Sequence, residues 1–436
     1  MTGQTVAVTD RVRVGLLGCG NVGAALVRLV AGHADLIAAR AGARVEITRV
    51  AVRDLTRTRD LPLAAAVFTD DPAAVVRDPD IDVVVEVMGG VEPARELIET
   101  ALRAGRPVVT ANKELIARDG PDLLRRAAES GVDLLFEASV AGGIPLIRPL
   151  RESLAGDRIR RVLGIVNGTT NYILTRMTED GSTFADALAE AQRLGYAEAD
   201  PTADVEGFDA AAKAAIIATI AFGAPVGPDA VYREGITGVT DDDIRSARSL
   251  GYVVKLLAVA EAVGDEIAVR VHPALVPVHH PLASVRDAFN AVFIEADAVG
   301  ELMLYGRGAG GDPTASAVLG DLVDACRNLV AGARGATIGE LVPRAVRPMA
   351  ETESPFSVLI EAADRPGVLA EIATRFGRHG VSIKSMEQRG LGAGARLVFI
   401  THRAREADLR ATLDALRDVD VVQRVGSVIR VVGEED

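Results

Sequence analysis

The sequence of 436 residues has no tryptophan, and aromatic residues make up only 3% of it. This scarcity argues against a protein that stacks aromatic rings on nucleic-acid bases. Two cysteines, Cys19 and Cys326, are too few for a disulfide framework or a cysteine-rich metal site. The net charge of -13 disfavours nucleic acid and anionic membrane surfaces as partners. No secretory signal and no apolar run long enough to span a membrane occur, so we predict a cytoplasmic protein.

The composition is typical of a globular enzyme, with 49% hydrophobic and 25% charged residues. The length predicts about three domains. We predict an α/β protein with a Rossmann-type doubly wound parallel sheet at 1–144 and an α+β substrate and dimerisation domain at 145–335. The last helix of that second domain is expected to pack back on the first. A linker at 336–354 then leads to a ferredoxin-like domain at 355–436.

A glycine-rich turn near the N-terminus predicts a dinucleotide site. An apolar run at 12–17 is followed by Gly18, Gly20 and Gly23, and then by a helical pattern. Glycines in this strand–turn–helix context let the backbone approach a pyrophosphate at the helix N-terminus. The candidate residues of this turn are Gly18, Gly20, Asn21, Val22 and Gly23.

The end of the second predicted strand, at 45–52, bears on the choice between NADP and NAD. Arg53 and Arg57 follow it, and an arginine there can pair with the 2′-phosphate of NADP. These arginines therefore favour NADP. Asp54 keeps NAD possible, because an acid at this place accepts hydrogen bonds from the ribose hydroxyls.

The pattern continues with strands at 81–87 and 107–110 and a helix at 92–103, which indicates a parallel sheet covered on both faces. Ligands of such sheets lie beyond the carboxyl ends of the strands. Met88 and Gly89 follow one strand end, and Thr110 and Lys113 mark the other, so we expect them at the cofactor.

The stretch 195–213 carries five carboxylates and one lysine. We predict one helix that starts at Asp200-Pro201 and runs on through the apolar residues after Lys213. Asp209 and Lys213 are then i and i+4 on one face, with Glu206 on the same stripe. The pattern is compatible with a proton-handling site and equally with an ordinary ion pair near a helix start.

Two further glycine-rich loops are candidate binding elements. The loop at 136–145 can turn carbonyl oxygens toward a hard cation, although a plain glycine-rich turn explains it as well. The loop at 306–314, with Gly308, precedes a predicted helix through Leu329 and can approach a phosphate or a nicotinamide ring. An unstructured hinge is the competing interpretation. Between these loops we predict a helix at 251–262 and a strand at 267–277.

The C-terminal pattern reads strand, helix, strand, strand, helix, strand, which is the ferredoxin-like unit. A nucleic-acid-binding relative of that fold is disfavoured, since the domain lacks a basic and aromatic sheet face.

Three motifs resemble homoserine dehydrogenases that carry an ACT domain. The residues of 195–213 that match the substrate signature of that family are Gly195, Tyr196, Glu198, Asp200, Pro201, Asp204, Gly207, Asp209 and Lys213. The run Thr110-Ala111-Asn112-Lys113 is also similar to the family, and the turn at 364–369 resembles the ACT domain.

The resemblance implies reversible oxidation of L-homoserine to L-aspartate 4-semialdehyde, on the path to threonine, methionine and isoleucine. It implies that Lys213 delivers or relays a proton and that Lys113 lies between nicotinamide and substrate. It further implies that Asp209 and Glu198 hold the substrate's ammonium group while Asp204 supports Lys213. The remaining implied substrate residues are Gly168 and Thr169, at the start of a helix that lies beside the nicotinamide. A sodium ion is implied on the backbone of Glu137, Val140, Gly142 and Ile144.

The ACT resemblance implies an allosteric module that binds an amino acid, for which threonine is our prediction. The expected effector residues are Asp364, Gly367 and Val368, at an interface between chains of a homodimer or homotetramer. A purely architectural role in dimerisation is the alternative.

Three rival functions fit the sequence less well. A thioacyl-forming dehydrogenase needs a nucleophilic cysteine, and neither Cys19 nor Cys326 stands in such a context. A 2-hydroxy-acid dehydrogenase needs a histidine with a carboxylate partner, which none of the six histidines offers. A non-catalytic amino-acid sensor would leave the acid-rich segment before Lys213 unexplained.

Overall fold

The computed structural model of the protein describes residues 11–390 and 394–433. The first ten residues of the predicted cofactor domain, and residues 391–393 and 434–436 of the predicted ACT domain, lie outside these ranges. The chain forms two compact units. The first holds the residues up to Arg160 together with Ala215–Pro228 and Asn290–Pro343, and the second holds Arg161–Ala214, Asp229–Phe289 and the residues from Arg344 onward.

The first part of the chain alternates strands and helices. The strands are β1 (Arg11–Leu17), β2 (Arg44–Ala51), β3 (Phe68–Thr69), β4 (Val83–Glu86), β5 (Val108–Thr110) and β6 (Leu134–Leu135). The helices are α1 (Asn21–Gly32), α2 (Ala34–Ala41), α3 (Pro72–Arg77), α4 (Ala94–Arg103) and α5 (Lys113–Ser130). The strands form a parallel sheet in the order β3-β2-β1-β4-β5-β6. The predicted Rossmann-type sheet is thereby confirmed, with the strand order that places a cofactor crevice between β1 and β4.

The middle of the chain supplies six strands and six helices. The strands are β7 (Ile159–Ile165), β8 (Tyr232–Arg233), β9 (Tyr252–Val263), β10 (Glu266–Pro277), β11 (Phe289–Ala296) and β12 (Gly300–Arg307). The helices are α6 (Gly168–Asp180), α7 (Phe184–Arg193), α8 (Thr202–Val205), α9 (Phe208–Phe222), α10 (Asp241–Ser249) and α11 (Gly311–Ala331). In the second unit, β9 lies antiparallel between β7 and β10. In the first unit, α11 packs on α1 and places apolar side chains in the core of the parallel sheet.

Two local predictions in this part are wrong. Residues 252–263 form strand β9 and not a helix. The predicted single helix after Asp200 is interrupted, since α8 ends at Val205 and α9 begins at Phe208. Gly207 lies between them with φ of 80°, a left-handed conformation that ends a helix. Asp200 is not the N-cap that the sequence predicted, since Pro201 holds that position and no side chain caps the helix. The Asp200 carboxylate accepts a hydrogen bond from the backbone N–H of Thr202 at 3.1 Å, one residue before the cap.

The last part of the chain belongs to the second unit. Its strands are β13 (Glu353–Ser354), β14 (Phe356–Ala363), β15 (Ile383–Gly390), β16 (Gly394–Thr401), β17 (Ala404–Arg405) and β18 (Val422–Val431), and its helices are α12 (Val368–Arg378) and α13 (Glu406–Arg417). The order β18-β14-β16-β15 confirms the ferredoxin-like unit. Strand β18 also pairs in parallel with β10, where Ala274 lies opposite Arg430, so the two domains share one sheet.

Within the described ranges, no single helix has the length and apolar character of a membrane span. Helices α1 and α2 reach those values only when counted as one broken span with a bend of 85°.

Candidate active site

The glycine turn after β1 has the geometry of a dinucleotide-binding turn. Gly18 has φ of 100°, and a side chain there would also meet the backbone of Val87. A Cβ on Gly23 would lie 2.2 Å from the carbonyl oxygen of Gly18, so helix and turn touch without room for a methyl group. Gly20, by contrast, faces open space at the N-terminus of α1. The turn is therefore closed on its inner side and open where a pyrophosphate would bind.

A cavity of about 500 Å³ opens next to this turn and is rich in arginine. Gly20 and Asn21 of the turn line it, and its charged lining residues are Arg28, Arg57 and Arg59 with Asp60 and Asp312. Arg53 is exposed and is not among the residues that line it. The sequence analysis did not identify Arg28 and Arg59 as candidate residues, because Arg28 lies on α1 and Arg59 lies in a loop. The only available signal was the number of arginines near the end of β2.

Asp54, the acid that is compatible with NAD, forms hydrogen bonds within its own loop. Asp54 accepts hydrogen bonds from the backbone N–H and the hydroxyl of Thr56, at 2.8 and 2.6 Å, and these bonds hold the pKa of its carboxyl below the ordinary value. Burial raises the pKa of the Cys19 thiol, against the opposing effect of the nearby arginines. A raised pKa disfavours a nucleophilic thiolate at Cys19.

A buried carboxylate connects the two predicted strand ends. Glu86, fully buried at the end of β4, accepts hydrogen bonds from the backbone N–H of Met88 and Gly89, at 2.7 and 3.2 Å. Its second oxygen accepts from the hydroxyl of Thr110 at 2.6 Å. The structure therefore brings Met88, Gly89 and Thr110 together around one carboxylate, and their contact with the cofactor stays a prediction. Glu86 itself was missed, although an acid at the end of a buried strand is a recognisable signal.

Lys113 is the first residue of α5, next to this edge of the sheet. The preceding residue, Asn112, caps the helix through a bond from the backbone N–H of Leu115 and donates to the carbonyl oxygen of Gly90 at 2.6 Å. Lys113 is half-buried. Lys113 thus lies at a strand–helix junction on the carboxyl-terminal edge of the parallel sheet, and this position is compatible with a role at the cofactor.

The loop at 137–144 is a rigid turn of backbone. Ala141 and Gly142 have φ of 56° and 55°, two consecutive left-handed residues that reverse the chain direction. A Cβ on Gly142 would lie 2.3 Å from the carbonyl oxygen of Gly308, so these two predicted loops touch inside the first unit. Within the described residues, no cluster of three or more His, Cys, Asp or Glu side chains fits a metal ion. A cation in this loop would therefore bind to carbonyl oxygens, which is the chemistry that the loop offers to a hard cation.

The side chain of Glu137 fixes this loop to the segment that follows. The carboxylate is 5% exposed and accepts hydrogen bonds from three successive backbone N–H groups, those of Leu146, Ile147 and Arg148. The backbone N–H of Glu137 donates to Asp321 of α11 at 2.7 Å. Burial raises the pKa of Asp321 to about 7, against the opposing effect of that bond and of Arg148. Neither role was visible in the sequence, since the partners are up to 184 positions apart.

In the second unit, Lys213 is the centre of a buried polar cluster. Its ammonium donates to a carboxylate oxygen of Asp209 at 2.7 Å and to the backbone carbonyl oxygen of Val166 at 2.6 Å. Lys213 and Asp209 are 9% and 8% exposed. The predicted i, i+4 pair is confirmed. An ammonium has three N–H donors, and these two bonds leave the third for a ligand.

Asn167 joins two carboxylates of this cluster. Its amide NH₂ donates to Asp204 at 2.7 Å and to Asp209 at 2.9 Å, and its carbonyl oxygen caps α6 at the backbone N–H of Thr170. The cluster of Asp204, Asp209 and Lys213 thus has two negative charges and one positive charge. Glu206 does not belong to it, because its carboxylate accepts from Thr237 instead. That residue was expected on the same stripe, and the break at Gly207 explains the difference.

The other predicted substrate residues surround the start of α6. Thr169 donates to the carbonyl oxygen of Tyr196 at 2.7 Å. Gly168 lies so close to Ala288 that a Cβ would be 2.7 Å from its carbonyl oxygen. Glu198 is exposed, and the hydrogen bonds of the Lys213 cluster do not include its carboxylate. The structure therefore unites Asp204, Asp209 and Lys213 and leaves Glu198 at the surface.

The predicted effector turn precedes α12. Gly367 has φ of 90° and is the residue before the helix, which starts at Val368. Asp364 is exposed and accepts from the side-chain amide of Gln388 at 3.3 Å.

Models of known families match most of the chain. The model described as "Homoserine dehydrogenase, NAD binding domain" matches residues 18–137, and the one described as "Homoserine dehydrogenase" matches residues 145–323. The model of the ACT domain matches residues 356–421.

Whole relatives are similar over nearly their full length. The homoserine dehydrogenase of Mycobacterium tuberculosis is 52% identical over 97% of this chain and 98% of its own, and that of Corynebacterium glutamicum is 48% identical over 96% and 95%. The crystal structure of the homoserine dehydrogenase from Thiobacillus denitrificans is 42% identical, with a TM-score of 0.92 over 97% of this chain and 98% of that one. A hyperthermophilic archaeal homoserine dehydrogenase, solved in complex with NADPH, is 31% identical, with a TM-score of 0.63 over 72% of this chain and 98% of its own.

Proposed function

The chain belongs to the homoserine dehydrogenase family, and we propose that it interconverts L-homoserine and L-aspartate 4-semialdehyde with NADP as its hydride carrier. The observation that carries the proposal is the buried cluster of Asp204, Asp209, Lys213 and Asn167. Its excess of one negative charge suits a substrate with an ammonium group. Its lysine suits a reaction in which negative charge develops on oxygen.

The proposed division of roles follows from the bonds of the cluster. Asp209 and Asp204 attract the ammonium end of the substrate, and Asn167 holds both carboxylates in place. In the reductive direction, Lys213 donates its third proton to the oxygen that gains negative charge, directly or through a water molecule. When bound, the nicotinamide supplies the hydride that the carbonyl carbon accepts. Glu198 and Lys113 retain their proposed roles toward substrate and nicotinamide on the strength of the family signature alone.

The test is turnover of Lys213→Met with homoserine and NADP. A positioned acid–base group contributes roughly 10²- to 10⁴-fold, so kcat should fall by that factor while cofactor affinity and circular dichroism stay unchanged. Lys384→Met is the matched control, because Lys384 is an exposed lysine of the ACT domain. Turnover of Lys213→Met within a factor of three of the parent enzyme would refute the role of this lysine.

The preference for NADP is supported by charge. Arg28, Arg57 and Arg59 line the cavity beside the glycine turn, and a 2′-phosphate is the anion that such a cavity suits. Both bonds from Thr56 end on one oxygen of Asp54, so the other oxygen can still accept from a ribose hydroxyl and NAD stays possible. The archaeal neighbour that was solved with NADPH agrees with this preference.

A sodium ion on the carbonyl oxygens of Glu137, Val140, Gly142 and Ile144 is the second part of the proposal. The chemistry fits, since the loop offers oxygen atoms from backbone that is turned by two left-handed residues. The role of such an ion would be to fix the loop that touches Gly308, and no chemical step passes through it.

Regulation by an amino acid, for which we propose threonine, is the third part. The ACT domain match supports a ligand-binding regulatory module. We assign the effector to Asp364, Gly367 and Val368 at an interface between chains, in a homodimer or homotetramer that serves threonine, methionine and isoleucine biosynthesis. A cytoplasmic location remains a prediction of the sequence.

A further inference from the structure

The two carboxylates of the proposed substrate site are joined by the short break between α8 and α9. Residues 205–208, here called the helix break, lie between Asp204 of α8 and Asp209 of α9. Gly207 has a left-handed conformation within this segment, with φ of 80°. Because each carboxylate follows directly from one end of the helix break, the conformation of the break positions one carboxylate relative to the other.

A neighbouring loop holds the helix break through its backbone. Residues 233–237 form this loop, here called the brace, which belongs to the same compact unit as the helix break. The backbone N–H of Ile236 donates to the carbonyl oxygen of Val205 at 2.8 Å. A Cβ on Gly235 would lie 2.2 Å from that same oxygen, so the two backbones touch without room for a side chain. Movement of the brace therefore displaces the helix break.

Side chains fasten the two segments on either side of this backbone contact. The guanidinium of Arg233 lies over the ring of Phe208, 3.6 Å from its centroid, where the face of the ring attracts a cation. The hydroxyl of Thr237 donates to the carboxylate of Glu206 at 2.9 Å. Both ends of the brace are thus attached to the helix break, and Phe208 immediately precedes Asp209.

The carboxylate of Glu234 connects the brace to the ACT domain. It accepts a hydrogen bond from Nη1 of Arg430, on β18, at 2.8 Å. The other two nitrogens of this guanidinium, Nε and Nη2, donate to Glu406 of α13 at 3.1 and 2.7 Å. The side chain of Arg430 is only 7% exposed, so salt screens its ion pairs less than a pair at the surface. One buried arginine therefore joins a strand and a helix of the ACT domain to the brace.

A gap lies beside this ion pair. A cavity of about 640 Å³ is lined by residues 427–429 of β18 on the ACT side, and by Glu206, Phe208 and the brace on the substrate side. Since this cavity keeps β18 apart from the helix break, the bond between Arg430 and Glu234 connects them across the gap.

We propose that the ion pair of Arg430 and Glu234 couples the ACT domain to the substrate carboxylates, with Glu234 as a positioning residue for Asp204 and Asp209. The inference rests on the proposed role of these two carboxylates in binding homoserine. A displacement of β18 or α13 moves Glu234, and the brace transmits the movement to the helix break. An effector of the ACT domain acts on substrate affinity by this route. Because coupling between two sites is reciprocal, a substrate that fixes the carboxylates also stabilises β18.

The first test is the kinetics of Glu234→Ala in the full chain. The side chain of Glu234 is 42% exposed and Arg430 keeps both bonds to Glu406, so the variant should fold. We expect KM for homoserine to rise by roughly twofold to thirtyfold, the range for residues along a coupled network, while kcat and KM for NADP stay unchanged. If Glu234→Ala does not fold, Glu234→Gln replaces it, with a smaller rise in the same direction.

Glu266→Ala is the matched control. Glu266 is similarly exposed, at 35%, and its ion pair with Arg347 joins the substrate domain to the segment before the ACT domain without touching the brace. This variant should keep the KM of the parent enzyme for homoserine. A rise of less than twofold in Glu234→Ala, an equal rise in the control, or a change in all three kinetic constants together would overturn the proposal.

Hydrogen exchange tests the same link without turnover. In the ligand-free protein, a peptide covering residues 203–209 should exchange roughly tenfold faster in Glu234→Ala than in the parent enzyme, and at the parent rate in Glu266→Ala. Unchanged exchange of this peptide in Glu234→Ala overturns the proposal. A parent enzyme that does not turn over homoserine would refute the proposed function instead, and exchange at 203–209 would still decide whether the link exists.

The reciprocal effect is measured on the ACT domain. Saturating homoserine and NADP should slow exchange of a peptide covering residues 424–431 of β18 in the parent enzyme but not in Glu234→Ala. A parent enzyme that turns over homoserine without this slowing, or a variant that keeps it in full, would show that the ion pair does not carry the coupling.

Discussion

Replacement of Glu137 by glutamine should loosen the segment that follows the carbonyl loop. The carboxylate of Glu137 accepts from the backbone N–H groups of Leu146, Ile147 and Arg148 and is almost fully buried. Glutamine has one acceptor oxygen. It can keep the two bonds to Leu146 and Ile147, but its NH₂ group then faces the N–H of Arg148, which is a donor opposite a donor.

The magnitude follows from these three bonds. A hydrogen bond to a charged acceptor contributes about 1.5–3 kcal/mol, and the two bonds that remain become weaker when the charge is removed. We therefore expect the free energy of local opening to fall by about 2–4 kcal/mol. Since every 1.4 kcal/mol is a factor of about ten, backbone hydrogen exchange in this segment should accelerate by roughly 30-fold to several hundred-fold.

The assay is hydrogen exchange measured by mass spectrometry on peptides that contain residues 144–150. Glu129→Gln is the matched control, because Glu129 lies on α5 of the same unit, is exposed and pairs only with Arg125 at the surface. That variant should leave exchange of the peptide unchanged. An acceleration of less than threefold in Glu137→Gln would refute the argument that the carboxylate holds this segment.

Three further predictions concern the cofactor, the effector and a buried lysine. Arg57→Ala should raise KM for NADP by roughly tenfold or more and leave KM for NAD nearly unchanged. Arg53→Ala is the control and should not raise KM for NADP in this way. Equal effects of Arg57→Ala on the two KM values would place the discrimination at other residues. Asp364→Ala should raise the threonine concentration for half-inhibition by roughly tenfold, whereas the exposed Asp420→Ala should not, and an unchanged inhibition curve would remove the turn from the effector site. Burial lowers the pKa of Lys255 from 10.5 to about 8. The unfolded chain therefore holds this proton between pH 8 and 10.5 while the folded chain does not, so stability from this group rises with pH by ~3 kcal/mol across that window. The difference in urea unfolding between the parent enzyme and Lys255→Met should show that rise, and a difference that is flat in pH would contradict it.

The sequence predicted the structure correctly where the pattern of a single segment determines its secondary structure. The buried runs of the Rossmann strands and the alternation in the ferredoxin-like unit are local patterns, and both folds are confirmed. It failed at 252–263, where alanine and leucine favour a helix but twelve residues pair with β10 along their whole length. A prediction from this segment alone does not include its partner strand. The pairing with that strand outweighs a helix propensity of a few tenths of a kcal/mol per residue.

The residues that the sequence analysis missed share one physical property. Glu86 and Asp321 are buried polar side chains whose partners are backbone groups or side chains from other elements. Sequence spacing reveals a partner on the same helix, as it did for Asp209 and Lys213, but it cannot reveal one across a sheet. The partners of these side chains could therefore be assigned only once the fold was known.

The same property separates the side chains that position the site from Lys213. Burial of a polar group is costly unless it is hydrogen-bonded, and Glu86, Asn167 and Glu137 each meet that condition with two or three bonds. In those clusters every bond joins parts of the chain, so their role is to position a loop or a carboxylate. Lys213 differs from them, because only two of its three N–H groups are bonded to the chain. The third is left for an oxygen of the substrate, and this is why the proton transfer is assigned to Lys213.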